Sequence, residues 1–186
     1  SPGFLILFAV TFTMMSFDLL MSLDARWFST MYGVYCFAGL FYSTLALVCL
    51  MTLKLKCKGH LDAFVNDNHY HDLGKFMFAF TVFWAYIAFC QFFLIWYANL
   101  PEETGYYLNR LQGSWFWVSM FLFAKFLVPF VALLPRDNKR NPRILAGVAV
   151  FMLIAHWIDL MWVVQPTFYK EGPRFGLIEI GVALGF

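Results

Sequence analysis

Charge is the scarcest thing in this sequence. Only 13% of its 186 residues are Asp, Glu, Lys or Arg, whereas 62% are hydrophobic and 22% aromatic. A soluble domain carries about a quarter charged residues, so this chain has too little charge to clothe a water-exposed surface. With a mean hydropathy of +0.69, it reads as an integral membrane protein. The net charge of +2 is too small to point to nucleic acid. The charges come in short blocks between apolar runs, as loops between spans do.

Redox-ligand patterns are missing as well. The four cysteines, Cys36, Cys49, Cys57 and Cys90, form no CxxC, CxxCH or ferredoxin-type spacing, which removes the usual signs of covalent haem, iron–sulfur clusters or a disulfide framework. Most of them fall inside apolar runs and read as small buried hydrophobes. Of four histidines, only His156 lies within a span, so bis-histidine haem ligation has no second intramembrane partner. The His-x-His-Asp of "HYHDLGK" has loose metal-ligand spacing, and Asp72 there reads as a cap for the positive end of a helix. We expect no metal or cofactor bound by this chain itself.

What is present is a series of long apolar runs. A window of about 20 residues finds five spans, at 4–23, 28–53, 76–98, 114–134 and 144–164, and a truncated sixth starting near Leu177. Each must be helical, because an isolated apolar run can satisfy its own backbone in lipid only as a helix. The fold class is therefore all-α, a polytopic membrane helical bundle forming one domain over residues 1–186. The Ser-Pro-Gly opening and the apolar ending "LIEIGVALGF" suggest part of a longer subunit with no signal peptide in view.

Loop charge sets the orientation. Lys54, Lys56, Lys58 and Lys75 flank one loop, and Arg136, Lys139, Arg140 and Arg143 another, while Arg26 and Arg110 stand nearly alone in the loops between. The positive-inside rule puts the basic loops and the N-terminal end in the cytoplasm. Trp27, Trp96, Trp115, Trp117 and Trp162 fall near the outer ends, as an interfacial belt would. "NLPEET" (residues 99–104) reads as a helix exit at the outer surface, turned by Pro101.

Polar residues inside the spans are the candidates for function. Asp18, Lys125, His156 and Asp159 are ionisable groups at membrane depth, where they usually pair, line wet cavities or relay protons. At about 1.5 Å per residue, Asp18, Gln91 and Asp159 lie at one level in the outer half, with His156 one turn from Asp159 on the same face. On its own helix, Gln91 shares a face with Thr81, Ala85, Ala88 and Ala98, which would let a neighbour approach closely. Pro129 frees the carbonyl of Lys125 and kinks the fourth span there. These five residues form either a proton pathway or a polar cluster that only fixes helix packing.

The strings "HDLGKFMFAFTVFWAYIAFCQFFLIWYANLPEET" and "SLDARWFSTMYGVY" closely resemble the NrfD/PsrC-related membrane subunits of bacterial alternative complex III, a quinol:electron-acceptor (cytochrome c) oxidoreductase. The resemblance runs through nearly the whole chain and implies a multi-pass subunit of the bacterial inner membrane, without a redox cofactor of its own. Its partners would be membrane lipid, a sister quinol-binding membrane subunit, an iron–sulfur protein and a multihaem cytochrome, the last two carrying the clusters and haems. The resemblance also implies quinone or quinol as a ligand, since members are often labelled quinone-binding by homology, and proton half-channels have been proposed in them. No catalytic residue transfers by motif. A purely structural scaffold, or a stand-alone proton channel or transporter, stays open beside this reading, although no inverted repeat or matched pair of broken helices is evident.

The orientation is open to test by cysteine accessibility in intact cells. A cysteine at Arg140 should react only after the membrane is permeabilised, and one at Asn109 without it. Reaction at position 140 from outside would reverse the topology.

Overall fold

The computed structural model describes residues 2–25, 27–59, 61, 64–174, 176, 177 and 181. Six α-helices appear in chain order: α1 (Pro2–Leu19), α2 (Tyr32–Cys57), α3 (Asp67–Ala98), α4 (Pro101–Leu111), α5 (Trp115–Leu133) and α6 (Pro142–Phe168). Short 3₁₀ turns at Met21–Leu23 and Asn138–Arg140 complete the described elements. Five of the helices are long and apolar enough to cross a membrane, each reaching a mean hydropathy of 2.0 or more over its best window. The all-α bundle and its five spans are as the sequence implies. Apart from residues 177 and 181, the expected sixth span lies outside the described residues, as does Arg26.

Helix α2 is the centre of the bundle and packs along both α3 and α6, while α5 fills the space between α3 and α6. Its buried positions Tyr35, Ala38, Tyr42, Ala46, Cys49 and Leu53 recur every three or four residues, the period of one helix face. Helix α1 leans mainly on α2. At Gly33 the two helices lie close enough that a Cβ there would be 2.8 Å from Thr13 Cγ2. Ser16 is its one buried residue among those described, so most of its circumference faces outward.

Two helix ends on the same side of the bundle are closed by local chemistry. Asn66 caps α3, its Oδ1 accepting from the amides of Asn68 at 3.0 Å and His69 at 3.3 Å, while His69 Nδ1 accepts from the Asn66 amide at 3.2 Å. This reciprocal capping box replaces the expected cap by Asp72, which pairs instead with Lys75 at 2.7 Å on the exposed surface. At the end of α5, Lys139 Nζ donates to the Leu133 carbonyl at 2.7 Å and Asn138 Nδ2 to that of Ala132 at 2.8 Å. Those are carbonyls that no longer find an amide within the helix.

The expected turn at Pro101 is also the start of a helix. Asn99 ends α3 in the left-handed region (φ 48°) and Pro101 opens α4 at its first position, where a missing N–H costs nothing. Glu102 and Glu103 then occupy the positive end of α4. Along α4, Tyr106 and Arg110, one turn apart, point into the protein. The outer-end tryptophans divide accordingly. Trp96 and Trp117 are exposed as a belt requires, whereas Trp27, Trp115 and Trp162 are buried; Tyr106 of α4 stacks on Trp27 and meets Trp162 edge-on. Trp115 Nε1 donates to the Tyr169 carbonyl at 2.8 Å and Trp162 Nε1 to Ser119 Oγ at 2.8 Å.

Both helix-interior prolines leave a carbonyl without its amide, and each is met from another helix. For Pro129 it is the Lys125 carbonyl, which accepts from Tyr42 Oη at 3.2 Å. For Pro166 it is the Trp162 carbonyl, which accepts from Arg110 Nε at 3.2 Å, with Arg110 Nη2 on the Val163 carbonyl at 2.8 Å. The guanidinium also lies over the Tyr106 ring, 3.4 Å from its centroid. Arg110 is thus a buried structural clamp rather than a loop charge. Replacing it with Met should cost about 1.5–3 kcal/mol, and Lys should not restore it, since a single ammonium cannot span both carbonyls as a planar fork does. Thermal unfolding in detergent micelles measures this; an Arg110→Lys protein as stable as the parent would show that the fork is not what matters.

Candidate functional site

The described core falls into two apolar clusters, one containing Trp27, Tyr35, Trp84 and Trp162, the other Tyr42, Tyr70, Met77 and Met152. The charged residues sit at the seam between them. Lys125 of α5 points its Nζ at Asp159 Oδ2 of α6 at 2.6 Å, with side chains 0% and 2% exposed. The second carboxylate oxygen, Oδ1, accepts from Tyr35 Oη of α2 at 2.5 Å. His156, one turn before Asp159, places Nδ1 3.4 Å from Lys125 Nζ and 3.7 Å from Asp159 Oδ2.

Each member is placed by its helix. The i, i+3 spacing of His156 and Asp159 stacks them on one face of α6. The His156 ring fits beside α2 because residue 39 is glycine: a Cβ there would lie 2.6 Å from His156 Cε1. Lys125 is further held by aromatic faces, its Nζ 3.8 Å from the Trp84 ring centroid and 5.0 Å from that of Tyr42. An ammonium over an aromatic face gains from the ring's quadrupole, the more so where water is excluded.

The arrangement differs in degree of burial across its members. Lys125 and Asp159 are sealed, but the His156 side chain keeps 14% of its surface exposed. Its Nδ1 lies between an ammonium and a carboxylate, so it accepts from Lys125 when unprotonated and faces Asp159 when protonated. The cluster therefore has the parts of a proton-exchanging group: an acceptor carboxylate, a hydroxyl on one side and an imidazole at the margin on the other.

Of the five residues singled out in the sequence, the structure brings three together: Lys125, His156 and Asp159. Gln91 does face the interior and is 6% exposed, but it stands apart from the ion pair. It lines a cavity of about 540 Å³ between α3, α4 and α5, whose wall also includes Tyr35, Trp84 and Ser119. Asp18 is a correction. Its side chain is exposed, not part of the layer. Depth along a helix places a residue at a level but says nothing about rotation, and α1 has too few neighbours to bury more than a narrow strip. The face around Gln91 is also rotated from expectation: Trp84, Ile87 and Ile95 are buried with it, while Ala98 is exposed. The bulky Trp84 is needed inside, beneath Lys125.

Tyr35, Tyr42, Trp84 and Gly39 do not stand out in the sequence as site residues. The three-and-four spacing of Tyr35, Gly39 and Tyr42 along α2 is the signal that could have found them. Among the described residues no group of three His, Cys, Asp or Glu side chains is close enough to hold a metal ion. No family model matches the chain, and no curated protein matches it.

The pair is expected to behave asymmetrically on mutation. Lys125→Met should cost about 3–5 kcal/mol by leaving a buried carboxylate without its cation, whereas Lys125→Met with Asp159→Leu should recover most of that loss. A double-mutant cycle read by unfolding in detergent tests the coupling; simple additivity of the single losses would mean that the pair does not interact.

Proposed function

We propose that the chain is a membrane subunit of a respiratory quinol:electron-acceptor oxidoreductase complex, and that the Tyr35–Asp159–Lys125–His156 cluster exchanges protons within it. The observation that carries this reading is a sealed carboxylate at membrane depth that has a hydroxyl on one oxygen and an ammonium on the other, with an imidazole at the cluster's exposed margin. Charges in such a place are costly and are characteristic of proton relays. The five apolar helices agree with a membrane subunit, and the two long sequence strings supply the link to alternative complex III.

In this reading the chain's own residues act as follows. Tyr35 borders the cavity and relays a proton to Asp159 Oδ1, giving its own along their hydrogen bond as its oxygen takes up another from a donor on the cavity side. Lys125 holds the carboxylate in place and balances its charge. The protonated carboxyl then turns so that its Oδ1–H meets His156 Nδ1, which takes the proton and hands it on at the margin, where its ring has surface. Haems and iron–sulfur clusters belong to partner subunits, and the electrons travel there. The membrane is the bacterial plasma membrane.

A scaffold role has an observation in its favour too. Both Asp159 oxygens have donors at short distance, so the cluster is already satisfied without any moving proton and would serve as packing glue between α2, α5 and α6.

The assembled complex distinguishes them. Asp159→Asn keeps the shape of the side chain and one acceptor oxygen but takes no proton, so in the complexes that assemble coupled proton release and quinol oxidation should fall, by on the order of a hundredfold where Asp159 acts as the acid–base group. Parental rates for both would favour the scaffold.

A further inference from the structure

The cavity beside Gln91 has a chemistry that the ion pair does not use. Its volume of about 540 Å³ lies within the roughly 300–1,000 Å³ of small-molecule sites. Its wall is apolar and aromatic, and Phe89 and Phe123, both lining it, are 62% and 67% exposed on the outer surfaces of α3 and α5. The opening between those helices therefore faces sideways, toward the lipid phase, rather than toward water. A ligand that enters there must be lipid-soluble.

Polar atoms decide what kind. Gln91 Nε2 and Trp84 Nε1 are buried donors without a hydrogen-bond partner among the described residues, and both side chains line the cavity. A buried amide or indole N–H left unpaired costs free energy that a well-packed interior avoids. Two orphaned donors on one helix, at i and i+7, lie on the same face and border the same apolar space. Tyr35 lines it as well, but its hydroxyl is taken by Asp159. What is lacking is an acceptor, and an acceptor that arrives from lipid is a carbonyl oxygen on an otherwise apolar molecule. A charged headgroup is disfavoured because the cavity wall offers no free counter-charge. Water alone fits poorly, since the remaining wall gives it few partners.

We propose that this cavity is a binding site for a lipid-soluble carbonyl compound, which enters between α3 and α5 and places its carbonyl oxygen on Gln91 and Trp84. The ring carbonyl of a quinone and the acyl ester carbonyl of a membrane lipid share this chemistry. The site stands on the cavity and its donors, and does not require Asp159 to carry protons.

The test is photo-crosslinking in the assembled complex in nanodiscs, with an azido-substituted alkyl quinone in one arm and a phosphatidylcholine bearing a photoreactive acyl chain in the other. Crosslinked peptides are mapped by mass spectrometry. Label should concentrate on the α3 and α5 residues around the cavity, in whichever arm carries the natural ligand. Gln91→Met, which removes the donor at nearly constant volume, should weaken half-saturation of labelling about tenfold, the scale of one hydrogen bond, while raising the melting temperature of the ligand-free complex by deleting an orphaned amide. Ala88→Phe, which fills the space, should abolish it. Cavity labelling by the quinone alone or by the lipid alone assigns the source. Label spread evenly over the lipid-facing surface in both arms, or cavity labelling unchanged by Gln91→Met, would overturn the site even if the Asp159→Asn complex had lost its activity.

Discussion

Everything in the middle of this bundle is arranged around one ammonium facing one carboxylate. Lys125 and Asp159, 2.6 Å apart and sealed from solvent, have been taken out of any medium that could solvate them, so neither is tolerable without the other. Their distance fixes α5 against α6. The Tyr35 hydroxyl on the second carboxylate oxygen then adds α2, and the Trp84 ring beneath the ammonium adds α3. Four helices are thus held in rotation as well as in distance by groups within a few ångströms. In a medium where apolar side chains gain nothing from burial against each other rather than against lipid, such polar contacts and close packing are what select one arrangement.

The same accounting governs the backbone. A helix in lipid must satisfy every peptide group, and Pro129 and Pro166 each break that rule once. The replacements come from side chains on helices distant in sequence, Tyr42 for one kink and Arg110 for the other. The kinks are therefore not loose points. Ser119 extends the second network, its hydroxyl donating to the Arg110 carbonyl at 2.6 Å while accepting from Trp162 Nε1, so α4, α5 and α6 meet through a continuous set of hydrogen bonds.

How much of this the sequence made legible depended on the kind of signal. Spans were plain, because long apolar runs separated by short charged blocks have few alternative readings. Lys125, His156 and Asp159 stood out because a charge inside an apolar run is conspicuous, and the i, i+3 relation of the last two needed only helical geometry. Asp18 looked equivalent to Asp159 in depth, but which way a helix turns depends on what packs against it, and α1 has mainly α2. Arg110 was hidden for the opposite reason. It lies between apolar runs, so it counted as a loop charge, and only the fold of α4 over the bundle end buries it. Tyr35 and Trp84 were invisible among many other aromatics, since their roles come from neighbours on other helices.

The order in which the helices are made gives the Trp84 contact a second consequence. During synthesis α5 enters the bilayer before Asp159 exists, carrying a lysine near its centre that by itself costs roughly 2.5–3.5 kcal/mol to insert. The Phe, Leu and Val residues around it, with a mean hydropathy of 2.0 over the span, offset that penalty. The ring faces of Tyr42 and Trp84 belong to helices already in place, so the nascent cation finds a host at once. When α6 follows, its aspartate meets a lysine already positioned. The aromatic faces thus give the lysine contacts that do not depend on α6, and the aspartate adds the charge that completes its surroundings.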